Sequence, residues 1–320
     1  MKRALELTRI LGTFVFVGLT IWLLDARAML AVLQRIEIEH FAVACVISGI
    51  VMILTGVKWR IMLPNVGLGD IIRLVFIGQF YSFFFFGQAS GEAAKIYLLS
   101  KNVGSVSGAA ASNVADRLTS LVALLTVSLV GFASSSTDSP RSLQWTVVAV
   151  LSVCVVLLLS LRLEAAAKIA LWIATWMEGS GRSLRYAAQA LRNAIMQWHA
   201  SVHDIRRISA SLLLGVLIHL GNAAALTILA EGVRVSLSFA DWCWIVGIMS
   251  VAGLIPLSIG QVTANGTLVG LLHIVGTPLN DAMTVSILSL FINFLIAVAG
   301  ALLEWLRARK LEALKAAANA

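Results

Sequence analysis

The stretch AMTVSILSLFINFLIAVAGALL (residues 282–303) contains 22 residues and no charged side chain. Because about 20 apolar residues of helix cross the hydrocarbon core of a bilayer, this stretch predicts a membrane span. Similar apolar stretches predict further spans at residues 10–24, 41–57, 143–161 and 209–230. Residues 118–132 are too few for a crossing, so we expect their helix to begin near Ala110.

The overall composition agrees with a membrane protein. Hydrophobic residues make up 59% of the chain and charged residues 12%, whereas a soluble domain carries about 25% charged residues. The net charge of +8 lies in short segments between apolar runs and forms no basic stripe with interleaved aromatic residues. We therefore expect no nucleic-acid partner.

The distribution of lysine and arginine predicts the topology. Nineteen of the 24 basic residues, Lys58 among them, fall on one side of the membrane if the N-terminus is cytoplasmic. Short cytoplasmic loops are enriched in these residues, so we expect a multi-pass protein of the bacterial inner membrane with both termini in the cytoplasm. The apolar start also resembles a secretory signal, but Asp25 and Arg27 beside the candidate cleavage motif favour a helix.

Two apolar stretches contain a break. The first, GQASGE (residues 87–92), follows four consecutive phenylalanines, which we interpret as core or lipid-facing residues. The second lies in the uncharged residues 242–272 and is marked by Pro256, Gly260 and Gly266. A shift of 173 positions places GQVTAN (260–265) on GQASGE. A match this short also arises by chance, but interrupted helices at corresponding positions of two halves are typical of a transporter's central site.

The sequence thus predicts an all-α, polytopic membrane helical bundle with two inverted repeats, each containing a broken or re-entrant helix hairpin. We expect one integral membrane domain over residues 1–320. Its predicted parts are a first half over 7–161 with a break near 83–95, a cytoplasmic amphipathic segment over 162–208, a second half over 209–303 with a break near 256–267, and a cytoplasmic tail over 304–320. In the amphipathic segment, apolar residues recur at helical spacing between 184 and 205, which predicts a helix on the cytoplasmic leaflet or, alternatively, a contact with a partner protein.

Four ionisable residues of the first half are predicted to lie inside the membrane, where charge is costly and faces a cavity or a partner. Glu92 and Lys95 share a helix face, and Asp116 and Arg117 precede residues 118–132. The simplest neutral arrangement pairs Glu92 with Arg117 and Asp116 with Lys95. These pairs either lock two helices together, or Arg117 and Lys95 hold a lipid phosphate.

Uncharged residues near the two breaks complete the predicted site. The further substrate-binding candidates are Gln88, Gly91, Gln261 and Asn265. We interpret His219 and Asn222, which share one face of a span, as a satisfied pair, with a proton relay as the alternative, and Asn293 as a packing residue. No GxSxG, Walker A or HExxH motif is present, and the three cysteines lack metal-ligand spacing. We therefore expect no enzymatic activity, no cofactor and no metal.

Several of these motifs resemble one known family. The sequence resembles the flippase-like membrane domain of lysyl-phosphatidylglycerol synthases in four features. These are GE followed by Lys95 (residues 91–95), Asp116-Arg117 at the start of a span, the basic amphipathic segment and PLSIG (256–260). The resemblance covers roughly residues 7–303. Because only 17 residues follow, we expect a stand-alone member without the soluble aminoacyl-transferase domain.

The resemblance implies an inverted-repeat membrane domain that moves a lipid between leaflets. It implies that Glu92 is the family's acid, Lys95 the basic residue three positions later and Arg117 the arginine of the following helix. The chain departs from the family pattern at Gly87, where proline is usual, and at Asn265, where an acid is usual.

Three functions remain open on the sequence. The first is transport of an anionic or glycosylated lipid, with a phosphate-bearing membrane lipid as substrate. The second is a membrane enzyme that transfers a group to a lipid, with Glu92 or Asp116 as general base. The third is a scaffold for another envelope enzyme, which would use the amphipathic segment. The oligomeric state does not follow from the sequence.

Overall fold

A computed structural model describes residues 37–85, 87–103, 105–135, 141–160, 204–253 and 262–318, together with positions 137, 172 and 175. All regular structure in these residues is helical. The helices are α1 (Ile38–Met62), α2 (Leu68–Phe84), α3 (Gly87–Val103), α4 (Val106–Ser134), α5 (Arg141–Ser160), α6 (Ile205–Glu231), α7 (Phe239–Ala252), α8 (Val262–Ile274) and α9 (Leu279–Ala318).

Among the described residues, four helices are long and apolar enough to cross a membrane: α1, α4, α6 and the part of α9 over Leu279–Lys310. They confirm the predicted spans at 41–57, 209–230 and 282–303, and the predicted stretch 143–161 is helical in α5. The predicted span at 10–24 lies outside the described residues, and so does the predicted amphipathic segment before Ile205 except for positions 172, 175 and 204.

Helix α4 confirms the prediction that the helix containing residues 118–132 begins well before residue 118. The helix has 29 residues and begins at Val106, where the Ser105 hydroxyl accepts a hydrogen bond from the backbone N–H of Gly108 at 3.1 Å. This N-cap satisfies one of the N–H groups that the first helical turn leaves free. Asp116 and Arg117 consequently lie in the interior of a spanning helix.

The first predicted break is present between α2 and α3. Helix α2 ends at Phe84 and α3 begins at Gly87, whose φ of +63° lies in the left-handed region that glycine adopts without strain. The chain reverses here, so that α2 and α3 pack against each other as a hairpin. Of the four phenylalanines, Phe83 and Phe84 are buried against Phe294, which agrees with a core role, whereas Phe85 is exposed.

The second predicted break does not extend to Gly266. Helix α7 ends at Ala252 and α8 already begins at Val262, so Gly266 and Asn265 lie within a helix. The expectation that Gly266 interrupts the chain is therefore wrong. A single helical glycine costs only about 1 kcal/mol relative to alanine, which the packing of α8 against α7 and α9 outweighs. Residues 254–261, which contain the Pro256 motif and Gln261, lie outside the described residues.

Close contacts at glycines hold the α2–α3 hairpin together. A Cβ atom at Gly91 would collide with the Ser82 hydroxyl and the Gly78 carbonyl oxygen. On the next turn, a Cβ atom at Gly78 would lie 2.7 Å from Cγ of Lys95. The aliphatic part of the Lys95 side chain thus packs directly on the backbone of α2, and the packing of the hairpin fixes the position of its ammonium group.

We expect Gly91→Ala to lower the unfolding temperature of the purified protein in detergent. The added methyl group must displace backbone as well as a side chain, and overpacking of this kind costs about 1–3 kcal/mol. Gly270→Ala is the matched control, since a Cβ atom there meets nothing within 4 Å. Equal unfolding temperatures for the two variants would contradict the tight hairpin.

Candidate functional site

A cavity of about 310 Å³ lies inside the helical bundle. Residues from every described helix except α5 line it. Its volume is at the lower end of the range of about 300–1,000 Å³ that is usual for ligand pockets. The cavity therefore has room for a polar headgroup or a small molecule.

Described residues that border the two predicted breaks line this cavity. Gly87 and Gln88, at the start of α3, line it together with Gly253, which caps α7, and Ala264 of α8. The structure thus brings Gln88 to the cavity, as it does Lys95, Asp116 and Arg117.

Glu92 joins the two cations that were predicted to hold a ligand. Its Oε1 forms an ion pair with Nη2 of Arg117 on α4, and its Oε2 lies 2.8 Å from Nζ of Lys95. Lys95 is almost fully buried, whereas 39% of the Arg117 side chain is exposed. Nε of Arg117 is buried and makes no hydrogen bond within the described residues. The predicted Glu92–Arg117 pair is present, and Arg117 is the cation of this group that remains accessible.

Lys95 also contacts an aromatic ring. Its ammonium nitrogen lies 5.2 Å from the centroid of the Trp59 ring, within reach of a cation–π interaction. Trp59 itself is 1% exposed in the α1–α2–α3 core. The ammonium group is therefore held between a carboxylate and an indole face.

Asp116 pairs with Lys58, and the predicted Asp116–Lys95 pair is wrong. Nζ of Lys58 lies 2.6 Å from Oδ1 of Asp116, and it also donates to the Asp116 carbonyl at 2.8 Å and the Ser120 hydroxyl at 2.8 Å. The Thr119 hydroxyl, 3.1 Å from the same nitrogen, also lies 3.0 Å from the Ser211 hydroxyl of α6. The Lys58 side chain is 1% exposed, and its contacts tie α1, α4 and α6 together.

Sequence reasoning missed Lys58 because it was counted as a basic residue flanking a span. Lysine followed by tryptophan at the end of an apolar run is typical of a membrane-interface anchor. One sequence signal could have placed Lys58 inside the helix instead: Pro64 is the first residue that stops the helix, and α1 continues past Lys58 to Met62.

Neutral polar residues also line the cavity. Nε2 of His219 lies 3.1 Å from the Ser120 carbonyl, which requires Nε2 to carry the proton. His219 therefore bonds to α4, although we had interpreted it as the partner of Asn222, and both residues line the cavity. Asn293 likewise lines the cavity, and its Oδ1 accepts from Nε2 of Gln79 at 3.2 Å.

Three described residues of the predicted site do not line the cavity, and one of them is Glu92, which contacts Lys95 and Arg117 behind its wall. Gly91 serves the packing of the α2–α3 hairpin, and Asn265 is buried in α8, where its carbonyl oxygen accepts from the Ser286 hydroxyl of α9 at 3.2 Å. Gln261 lies outside the described residues. Among the described side chains, no group of three His, Cys, Asp or Glu residues is arranged to hold a metal ion.

The sequence matches the family described as the lysylphosphatidylglycerol synthase TM region over residues 9–300. The chain belongs to this family. No curated protein and no solved structure matches the chain significantly. The match covers every residue of the charged cluster, and it agrees with the resemblance expected from the motifs.

In this family member the charged cluster carries a surplus of one positive charge. Lys58, Lys95 and Arg117 provide three cations, and Glu92 and Asp116 provide two carboxylates. Lys58 and Asp116 neutralise each other in a fully buried pair. Since Glu92 faces two cations at once, the surplus lies at Arg117 and Lys95, beside the cavity.

We expect Lys58→Met to destabilise the protein strongly, because it leaves the Asp116 carboxylate buried without its cation. Breaking a buried pair costs about 3–5 kcal/mol, whereas replacing both partners by apolar residues of similar size is often neutral. The double variant Lys58→Met, Asp116→Leu should recover most of the unfolding temperature in detergent. A double variant no more stable than Lys58→Met alone would contradict a structural role for this pair.

Proposed function

We propose that this protein moves an anionic or glycosylated lipid between the leaflets of the bacterial inner membrane. The observation that carries the proposal is the surplus cation at Arg117, on a cavity within a bundle of membrane-spanning helices. An unneutralised charge in this location is costly unless a ligand of opposite charge visits it. Membership of a family named for the membrane region of a lipid synthase supports a lipid as that ligand.

The cavity offers several donors to a phosphate group. The guanidinium of Arg117 presents its N–H groups in a fork that fits phosphate oxygens, and Lys95 adds a point charge. The start of α3 lies at the same cavity through Gly87 and Gln88, and the first N–H groups of a helix favour anions. The first turn of α3 contains no acidic residue that would oppose this.

The arrangement of the two breaks supports alternating access. We propose that the α2–α3 hairpin and the α7–α8 pair are corresponding elements of two inverted repeats, the first re-entering the membrane from the cytoplasmic face and the second from the outer face. Residues at both breaks border one cavity, as expected for a site at the interface between repeats. Movement of one repeat against the other would then open the cavity to one leaflet at a time. The proposal includes cytoplasmic N- and C-termini.

The alternative of a membrane enzyme has less support. A general base must be able to take a proton from its substrate, and both carboxylates of the cluster are engaged by cations. The scaffold alternative depends on the amphipathic segment over 184–205, of which only Asp204 and Ile205 are described.

We expect Arg117→Ala and Glu92→Gln each to reduce leaflet exchange of phosphatidylglycerol in reconstituted liposomes by at least about tenfold. The first variant removes the accessible cation, and the second releases the two cations that Glu92 positions. A tenfold change corresponds to about 1.4 kcal/mol, which is modest for one charge-assisted hydrogen bond.

Arg73→Ala and Glu39→Gln are the matched controls, because they make the same chemical changes at exposed positions. Both should keep native exchange. Undiminished exchange in Arg117→Ala and Glu92→Gln, at equal reconstitution, would exclude the proposed site. A lipid of altered mass produced by the native chain alone would support the enzyme alternative.

A further inference from the structure

The α2–α3 hairpin is packed separately from the main apolar core. Among the described residues, the buried members of that core lie on every helix except α2 and α3. The hairpin packs instead around Trp59 of α1 and against Phe294 and Ala297 of α9. It is therefore a distinct unit of packing beside the cavity.

The second half of α9 is fixed to this hairpin. A Cβ atom at Gly300 would collide with the Phe76 carbonyl oxygen, so the backbones of α9 and α2 are in direct contact. Further along the same interface, Gln79 donates to Asn293 at 3.2 Å. Close-packed backbones do not deform readily. Helices α2 and α3 and residues 293–303 of α9 thus form one body, which we call the hairpin unit.

Helices α1, α4 and α6 form a second body, the α1–α4–α6 unit. The ammonium group of Lys58 bonds to α4 and, through Thr119, reaches α6. A Cβ atom at Gly215 of α6 would lie 2.7 Å from Cβ of Ala123 on α4, and one at Gly221 would lie 2.7 Å from the Val51 side chain on α1. These helices are thus joined both by polar contacts and by close packing.

We propose that the contact between α3 and α4 is the gate of the cavity and that the Glu92–Arg117 ion pair holds it closed. When this pair breaks, the hairpin unit moves away from α4 as one body. The inference rests on the proposed function and identifies the helices that separate during transport. It also refines the movement of the repeats, since part of α9, from the predicted second half, moves with the hairpin of the first half.

The distribution of ion pairs supports this division. Among the described residues, Glu92–Arg117 is the only ion pair that joins the two units. Glu92 and Lys95 both lie on α3, whereas Lys58 and Asp116 both belong to the α1–α4–α6 unit. Opening the gate therefore breaks one ion pair and leaves a balanced pair on each unit.

Arg117 is the residue of the cluster that opening leaves without a counter-ion. Its side chain is partly exposed, and its Nε makes no hydrogen bond within the described residues. A phosphate group fits the guanidinium fork and can replace the Glu92 carboxylate there, while Glu92 keeps Lys95 at 2.8 Å. An anion that binds Arg117 in place of Glu92 thus interacts more strongly with the open state, and this difference in affinity shifts the equilibrium towards it.

The ends of the hairpin limit how the gate can open. Residues 63–67 connect α1 to α2, and only residues 104 and 105 connect α3 to α4. A Cβ atom at Gly56 of α1 would lie 2.7 Å from Cγ1 of Ile72 on α2, so these helices are also in close contact. Because both ends of the hairpin are tied in this way, its separation from α4 should increase towards Gly87.

Distances between spin labels, measured by electron paramagnetic resonance on the full chain in lipid nanodiscs, test the proposal. The labels are attached to exposed positions of a chain whose three native cysteines are replaced by alanine. Ala93→Cys on α3 with Val114→Cys on α4 reports the gate. Two pairs serve as controls: Ala93→Cys with Val298→Cys within the hairpin unit, and Ile53→Cys with Leu217→Cys within the α1–α4–α6 unit.

We expect Glu92→Gln to raise the ratio of long to short gate distances at least about tenfold, which corresponds to about 1.4 kcal/mol. The amide keeps the shape of the side chain but loses the ion pair. Arg117→Met breaks the same pair from α4 and is the second variant, and Glu39→Gln, at an exposed position, should leave the gate unchanged. Unchanged gate distances in both cluster variants, or a control distance within either unit that lengthens together with the gate, would overturn the proposal.

Leaflet exchange of phosphatidylglycerol separates this inference from the proposed function. A gate that opens in Glu92→Gln, in a protein whose native chain exchanges no lipid, would retain the gate and exclude transport. Exchange by the native chain, with gate distances unchanged in Glu92→Gln and Arg117→Met, would retain transport and exclude this gate.

Discussion

The carboxylate of Glu92, placed between Lys95 and Arg117 inside a membrane bundle, is the interaction on which the site depends. An isolated ion in hydrocarbon costs several kcal/mol, and one carboxylate can offset only one of its two neighbours. The group therefore stays positive by one charge at the wall of a cavity. This imbalance, more than any single contact, makes the interior of the protein attractive to an anion.

The surrounding packing keeps this arrangement fixed. Glycines on α2 and α3 let the hairpin close until the stem of Lys95 lies on the backbone at Gly78, which places its ammonium group between Glu92 and the Trp59 ring. Lys58 and Asp116 form a second pair nearby, but theirs is buried and balanced. The five charges thus divide into a balanced pair that joins helices and a group of three that carries one surplus positive charge.

The sequence predicted those features that depend on local composition. The length of the apolar stretches predicted the spans. Because residues 118–132 are too few to cross a membrane, the sequence also predicted correctly that α4 begins before Asp116. The glycine at 87 marked the turn between α2 and α3, since its positive φ is a local requirement. By contrast, Gly266 was taken for a break although it lies in α8, because a glycine in a helix looks the same in sequence whether or not packing compensates for it.

The partners of the charged residues could not be predicted to the same degree. Glu92 and Lys95 are neighbours along one helix, so their contact follows from spacing. The pairing of Asp116 with Lys58 depends on the angle at which α1 crosses α4, and no local sequence pattern predicts that crossing angle. For the same reason His219 and Asn222 could be placed on one face of α6, while the partner of His219 on α4 became evident only in the structure.

We propose that the cavity opens in turn to both faces of the membrane, and thiol labelling of Ser250→Cys tests this proposal. Ser250 lines the cavity, and the variant is made in a chain whose Cys45, Cys154 and Cys243 are replaced by alanine. A membrane-impermeant thiol reagent should modify this position from either side of sealed vesicles, and more slowly when phosphatidylglycerol is abundant. The same reagent should not reach Val46→Cys, which lies on the outer surface of α1. Reaction at Ser250→Cys from neither side would contradict the account and leave only a structural ion cluster.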